Sequence, residues 1–68
     1  MAYDPKRNGH RIRVLRGIRG QKEIAKALGI SVQLYGMYER GVRNPPDNMK
    51  ILFAKFFGVS VENLFYAE

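Results

Sequence analysis

Cysteine is absent from the 68-residue chain, histidine occurs once, as His10, and acids number six against twelve Lys and Arg. Without cysteine there is no disulfide to staple a small fold and no redox clue to compartment. One histidine without ligating partners cannot build a structural zinc site, so no metal or other cofactor is expected. The six acids, Asp4, Glu23, Asp47, Glu39, Glu62 and Glu68, are scattered and form no pair at catalytic spacing. A chain this short also has little room for a substrate cleft, so an enzyme and a small-molecule ligand are both unexpected. No apolar run approaches the roughly 18 residues that cross a bilayer, and nothing resembles a signal peptide, so a cytoplasmic protein with no membrane partner is expected.

A chain of this length forms a single domain, here 1–68, and buries only about 60% of the surface it exposes unfolded, which leaves close helix packing to supply stability. The basic excess is unevenly placed. Residues 1–43 hold ten bases and three acids, a net +7, and residues 44–68 sum to −1. That asymmetry suits a polyanion such as DNA. An acidic membrane surface is the rival, but "HRIRVLRGIRG" offers too few bulky apolar residues opposite its bases for a membrane-lying helix.

Apolar residues recur at helical spacing in five segments, and no alternating strand pattern competes. Asp4-Pro5 suits a cap and first turn, while Asn8-Gly9 could equally be a turn that delays the first helix to His10; Ile12 and Leu15 point inward in either case. A second helix begins near Gln21, buries Ile24, Ala25 and Leu28, and stops at Gly29. Ser31 caps a third, which ends at Arg40-Gly41. Asn44-Pro45-Pro46 delays the fourth to about Pro46, after which Met49, Phe53, Ala54 and Phe57 repeat up to Gly58. Ser60 caps a short fifth helix containing Leu64 and Phe65. The reading is an all-α, compact five-helix bundle with short connections.

On the third helix Tyr35 and Tyr38 lie on one side, and Gln33, Gly36, Met37 and Arg40 on the other. The two tyrosines would pack on Ile24, Ala25 and Leu28 with their hydroxyls reaching the surface. Two helices joined by three residues at a steep angle form a helix-turn-helix, whose second helix enters the major groove. The motifs "RIRVLRG", "QKEIAKALGIS", "MYERGVRNP" and "AKFFGVSVENLF" resemble those of the Cro and CI repressor-like regulators, also called the xenobiotic response element family, over residues 11 to 65. The resemblance implies a lambda repressor-like DNA-binding domain with its helix-turn-helix at helices 2 and 3, and a sequence-specific regulator of double-stranded DNA, usually a repressor and a dimer on a palindromic operator. It also implies a structural salt bridge between Arg16 and Glu39 that fixes the angle of the reading helix. Departures are Gly20, where the family has a Thr or Ser cap, a link from Leu15 to Gln21 two residues shorter than usual, and Gly36, where the family has a polar reading residue.

The base-reading candidates are Val32, Gln33, Gly36 and Met37. Gln33 suits a bidentate contact to adenine, Val32 and Met37 suit thymine methyls, and Gly36 is either a gap admitting the DNA or a neutral peculiarity. The phosphate-binding candidates are Gln21 and Lys22, at the positive end of the second helix, and Arg40, Arg43 and Asn44, where the chain leaves the third. Each also has a bland alternative as a solvated polar or charged residue. A homodimer interface is expected from Leu52, Phe56, Phe65 and Tyr66, because the fourth helix and tail carry more apolar residues than one small core needs; cover by the first or fifth helix is the alternative for Leu52 and Phe56. The competing function is a protein-interaction module, antitoxin-like or regulator-binding, that uses Val32, Leu34, Met37 or the aromatic fourth helix as an apolar patch. RNA is a poorer fit, since the aromatics are spaced for burial and not as a stacking platform. With no sensor domain in view, any inducer would act through a partner protein or through abundance.

Overall fold

The computed structural model describes residues 3–67. Four α-helices, α1 (Pro5–Arg16), α2 (Gln21–Leu28), α3 (Val32–Arg40) and α4 (Asp47–Phe57), are followed by a five-residue π-helical segment, Glu62–Tyr66. No strand occurs among the described residues. The five helical segments therefore stand where the apolar periodicity puts them, and the last winds more loosely than an α-helix.

The first helix begins at the earlier of its two possible starts. Asp4 is extended, and its Oδ1 accepts hydrogen bonds from the amides of Lys6 (3.1 Å) and Arg7 (3.2 Å) ahead of Pro5 in the first turn. Asn8-Gly9 is no turn but a buried part of α1. A Cβ on Gly9 would come within 2.6 Å of the Tyr38 carbonyl oxygen and closer still to that of Glu39, so glycine is what lets α1 cross the end of α3 backbone to backbone. At the other end of α1 the Arg19 guanidinium turns back to donate to the Arg16 carbonyl (3.0 Å, Nε) and the Leu15 carbonyl (2.9 Å, Nη2). It lies 5.6 and 5.7 Å from the ring centres of Phe56 and Phe57, which ties the short α1–α2 link to α4.

The α2–α3 junction is made by local chemistry. Gly29 is left-handed (φ 76°, ψ 28°), and the Ile30 amide reaches back to the Ala25 carbonyl at 3.0 Å. Ser31 Oγ then accepts from the Leu34 amide at 3.1 Å to start α3. By contrast, Gly20 gives α2 no side-chain cap, as its identity implies.

The core gathers Ile12, Ile24, Ala25, Tyr35, Tyr38, Met49, Phe53, Leu64 and Phe65. Phe53 is its centre. Its ring stands edge-on to Tyr38 (5.7 Å between centroids) and Phe65 (6.2 Å), and lies parallel to Phe57 (6.2 Å). The outward reach expected of both tyrosine hydroxyls is not found for Tyr35. That residue is fully buried, and its hydroxyl lies against the Arg16–Glu39 pair without closing a hydrogen bond of good geometry. Burial first, and the Glu39 carboxylate second, push its pKa far above the ordinary phenol value.

Candidate nucleic-acid interface

The angle of α3 is set from behind by an ionic cluster. Arg16 Nε donates to Glu39 Oε2 at 2.6 Å and Nη2 to Oε1 at 3.2 Å, a two-point contact from α1 to the last turn of α3. Gln21 Nε2 adds a third hydrogen bond to Glu39 Oε1 at 2.9 Å from the first turn of α2. The Glu39 side chain is 4% exposed and that of Arg16 17%. Burial by itself would raise the Glu39 pKa, but the hydrogen bonds from Arg16 and Gln21 outweigh it and hold the carboxylate below its ordinary range. Hydrogen bonding to Glu39 likewise raises the Arg16 pKa against the opposing effect of burial. One acid thus joins all three helices that frame the site, and it is neutralised where it stands.

Around this cluster the candidate residues separate. Gln33 is exposed on the outer face of α3, with Val32 and Met37 half-buried beside it. Lys22, Arg40, Arg43 and Asn44 are exposed, and among the described residues none of these three cations has a hydrogen-bonding or ionic partner. The uncapped first turn of α2 adds backbone N–H groups to the same side. Two candidates lie differently from the expectation. Gln21 is half-buried and one N–H of its amide donates to Glu39, so it braces the site from the first turn of α2. Gly36 is buried and leaves no open gap, because the side chains of Arg40 and Gln21 lie over it.

The apolar surface expected for pairing is present only in part. Leu52 and Phe56 are exposed (43% and 38%), and Ile51 is exposed too but lies about 100° or more round α4 from them. Phe65 is fully buried in the core and cannot belong to that surface. Tyr66 is half-buried, and its hydroxyl accepts from Lys50 Nζ at 2.8 Å. The Lys50 ammonium also sits 4.7 Å from the Tyr3 ring centre and 5.0 Å from that of Tyr66, which pins both ends of the described chain to α4. Neither this clasp nor the Arg19 clamp had a local signal in the sequence; each joins residues from separate elements.

A helix-turn-helix whose second helix stands proud of a small all-helical domain, braced by an internal Arg–Glu pair and flanked by unpaired cations, is the DNA-binding module of the Cro and CI type of transcription regulators. The chain belongs to this helix-turn-helix family, whose profile matches residues 10–64. An uncharacterised helix-turn-helix-type transcriptional regulator of Methanocaldococcus jannaschii is 40% identical over 48 residues, covering 71% of this chain and 73% of the relative. The restriction-modification controller protein C.AhdI of Aeromonas hydrophila superposes with a TM-score of 0.79 at 30% identity, over 91% of this chain and 97% of that one. The DNA-binding domain of BldD gives a TM-score of 0.71 at 27% identity, over 96% and 99% of the two chains. A LexA repressor structure from Eubacterium rectale shares the fold, with a TM-score of 0.83 at 21% identity over 100% of this chain and 77% of that one. The Methanocaldococcus relative is a transcriptional regulator and the LexA protein a transcriptional repressor by name. No helix among the described residues is long and apolar enough to cross a membrane.

Proposed function

We propose that this chain is a sequence-specific regulator of double-stranded DNA that binds a palindromic operator as a twofold dimer in the cytoplasm and represses by occupying it. The observation that carries the reading is the fate of Glu39. It is the one acid of α3, and it is buried and matched by Arg16 and Gln21, so the outer face of α3 carries no exposed acid, and Glu23 in the first turn of α2 is the one exposed acid of the helix-turn-helix. Gln33 meets adenine edges, with Val32 and Met37 near thymine methyls. Lys22, Arg43, Asn44 and the first-turn amides of α2 hold the phosphates on either side.

Pairing follows from reach. One short reading helix contacts too few bases for useful specificity, and two related by a dyad enter successive major grooves about 34 Å apart. Exposed Leu52 and Phe56 supply the apolar surface. Selection of bound sequences from a random duplex pool, followed by binding curves on matched and scrambled duplexes, tests the reading. Gln33→Ala should cost about 1–3 kcal/mol on the matched duplex and little on the scrambled one. Arg43→Ala should weaken both alike and lower the slope of log affinity against log salt by about 0.9 per lost phosphate contact. Equal losses on both duplexes for Gln33→Ala would remove it from the reading set, and a salt-insensitive wild type would favour a protein partner instead.

A further inference from the structure

An open groove of about 280 Å³ runs between α1 and the π-helical segment, lined by Val14, Leu15, Val59 and Leu64 together with His10, Arg11 and Asn63. Its surface is almost wholly apolar. Arg11 Nη1 donates to the Asn63 and Leu64 carbonyls at 3.2 and 3.4 Å, which ties the two walls together, and Val14 is 63% exposed, so the apolar lining reaches water. Gly9 and Arg16, by which α1 meets α3, fall within about 20° of each other round the helix. His10, Arg11, Val14 and Leu15 centre about 180° away from them. The groove therefore opens behind α1, on the side turned away from α3.

Aliphatic walls offer nothing to a phosphate, and the volume falls below the roughly 300–1,000 Å³ of small-molecule pockets while still admitting one or two bulky side chains. Charge selects whose side chains those are. Within Pro5–Arg16, α1 holds the bases Lys6, Arg7, Arg11, Arg13 and Arg16 and no acid. Arg16 is matched by Glu39, whereas Arg7 and Arg11 fall on the groove's side of the helix and exposed Arg13 stands one turn beyond His10. Glu62 is the one acid on the facing segment. A second copy of this chain is a poor occupant, because a dyad would set the basic face against itself. We propose that the groove docks an acidic amphipathic helix of a partner protein, with one or two leucine-sized side chains between α1 and the π-helical segment and its carboxylates against the α1 bases. Opening behind α1, the groove admits this partner while α3 lies on DNA. Simultaneous binding rests on α3 being the DNA-reading helix; the docking does not.

The probe is a synthetic, fluorescently labelled peptide of about 15 residues, built of Glu, Ala and Gln with two leucines one helical turn apart. Control peptides replace the leucines by Ala or every Glu by Lys. Wild type should bind the first peptide, bind the alanine peptide about 10-fold or more weakly, and leave the lysine peptide unbound. NMR shifts during the titration should fall on His10, Val14, Val59 and Asn63. Val14→Glu, at an exposed position, should keep the wild-type Tm and duplex affinity and lose about 10-fold for the first peptide. The preformed protein–duplex complex should bind that peptide as well as free protein does. No binding of the first peptide would overturn the proposal. Equal binding of the leucine and alanine peptides, or shifts that fall on α2 and α3, would mean an acidic chain standing in for DNA and would overturn it too. So would a change in the sedimentation of free Val14→Glu protein, which would give the groove to a second copy. Displacement of the peptide by duplex would overturn simultaneous binding. A wild type that docks the peptide yet shows no preference for matched over scrambled duplex would bring down the reading role of α3 and leave the docking standing.

Discussion

The Arg16–Glu39 pair allows a prediction in which both sign and size come from geometry. Arg16→Ala leaves a carboxylate whose side chain is 4% exposed with only the Gln21 hydrogen bond, and it also removes the Arg16 Nη1 contact to the Arg19 carbonyl at 2.8 Å. Glu39→Ala strands a guanidinium that is 17% exposed and so retains some water. Breaking a buried pair from one side costs about 3–5 kcal/mol, so Arg16→Ala belongs near the top of that range and Glu39→Ala near or below the bottom. A 68-residue domain has a total stability of roughly 3–10 kcal/mol, and each kcal/mol shifts its Tm by about 4–8 °C. Either single variant is therefore expected to be severely destabilised. The double variant strands neither charge and should lose less than the two singles together, with a coupling of about 0.5–3 kcal/mol. Urea unfolding followed by circular dichroism provides the cycle. Additive losses would show that the side chains do not meet in solution.

Acid titration gives the same pair a second reading. The folded-state pKa of Glu39 is lowered from an ordinary value of 4.5, so the unfolded chain takes up a proton first as pH falls. Its stabilisation is complete above that ordinary value and declines below it, until the pH has passed through the depressed folded value. Glu39→Gln removes this titration and should flatten the acid limb of stability against pH. An unaltered acid limb would refute the assignment.

Gly9→Ala tests the approach of α1 to α3. Helix propensity alone favours alanine by about 1 kcal/mol, whereas the close Tyr38 and Glu39 carbonyls predict a net loss of about 1–3 kcal/mol, so a stabilised variant would mean the helices are not in contact there. Leu52→Lys should abolish two-copy binding to a full palindrome in sedimentation while leaving the fold intact, since the side chain is exposed, and Phe56→Lys should do the same at a cost in stability, since Arg19 packs on the Phe56 ring. Unchanged two-copy complexes in both variants would move the pairing surface elsewhere.

The helix-turn-helix was legible because its signals act over a few residues. Gly29 terminates a helix, Ser31 caps the next, and Asn44-Pro45-Pro46 spaces the fourth, all through bonds to near neighbours in the chain. Asn8-Gly9 was ambiguous for a physical reason. A glycine required by a turn and one required by the close passage of another helix look alike in sequence, and only the position of α3 distinguishes them. The aromatic tail was misread in part. Apolar excess marks it as sticky, but Phe65 enters the core from a π-helical turn whose wider period shifts the face on which each side chain falls.

What the sequence by itself determined is the number of helices, their caps, the basic half of the chain and the outward position of Gln33. Local hydrogen bonding and a 3.6-residue period suffice for those. Only the tertiary structure decided that Gln21 donates to Glu39, that Arg19 locks the α1–α2 link, and that the space at Gly36 belongs to Arg40. Each of these depends on side chains from separated positions or successive turns competing for one polar partner or one empty volume, and that competition is settled by packing in three dimensions.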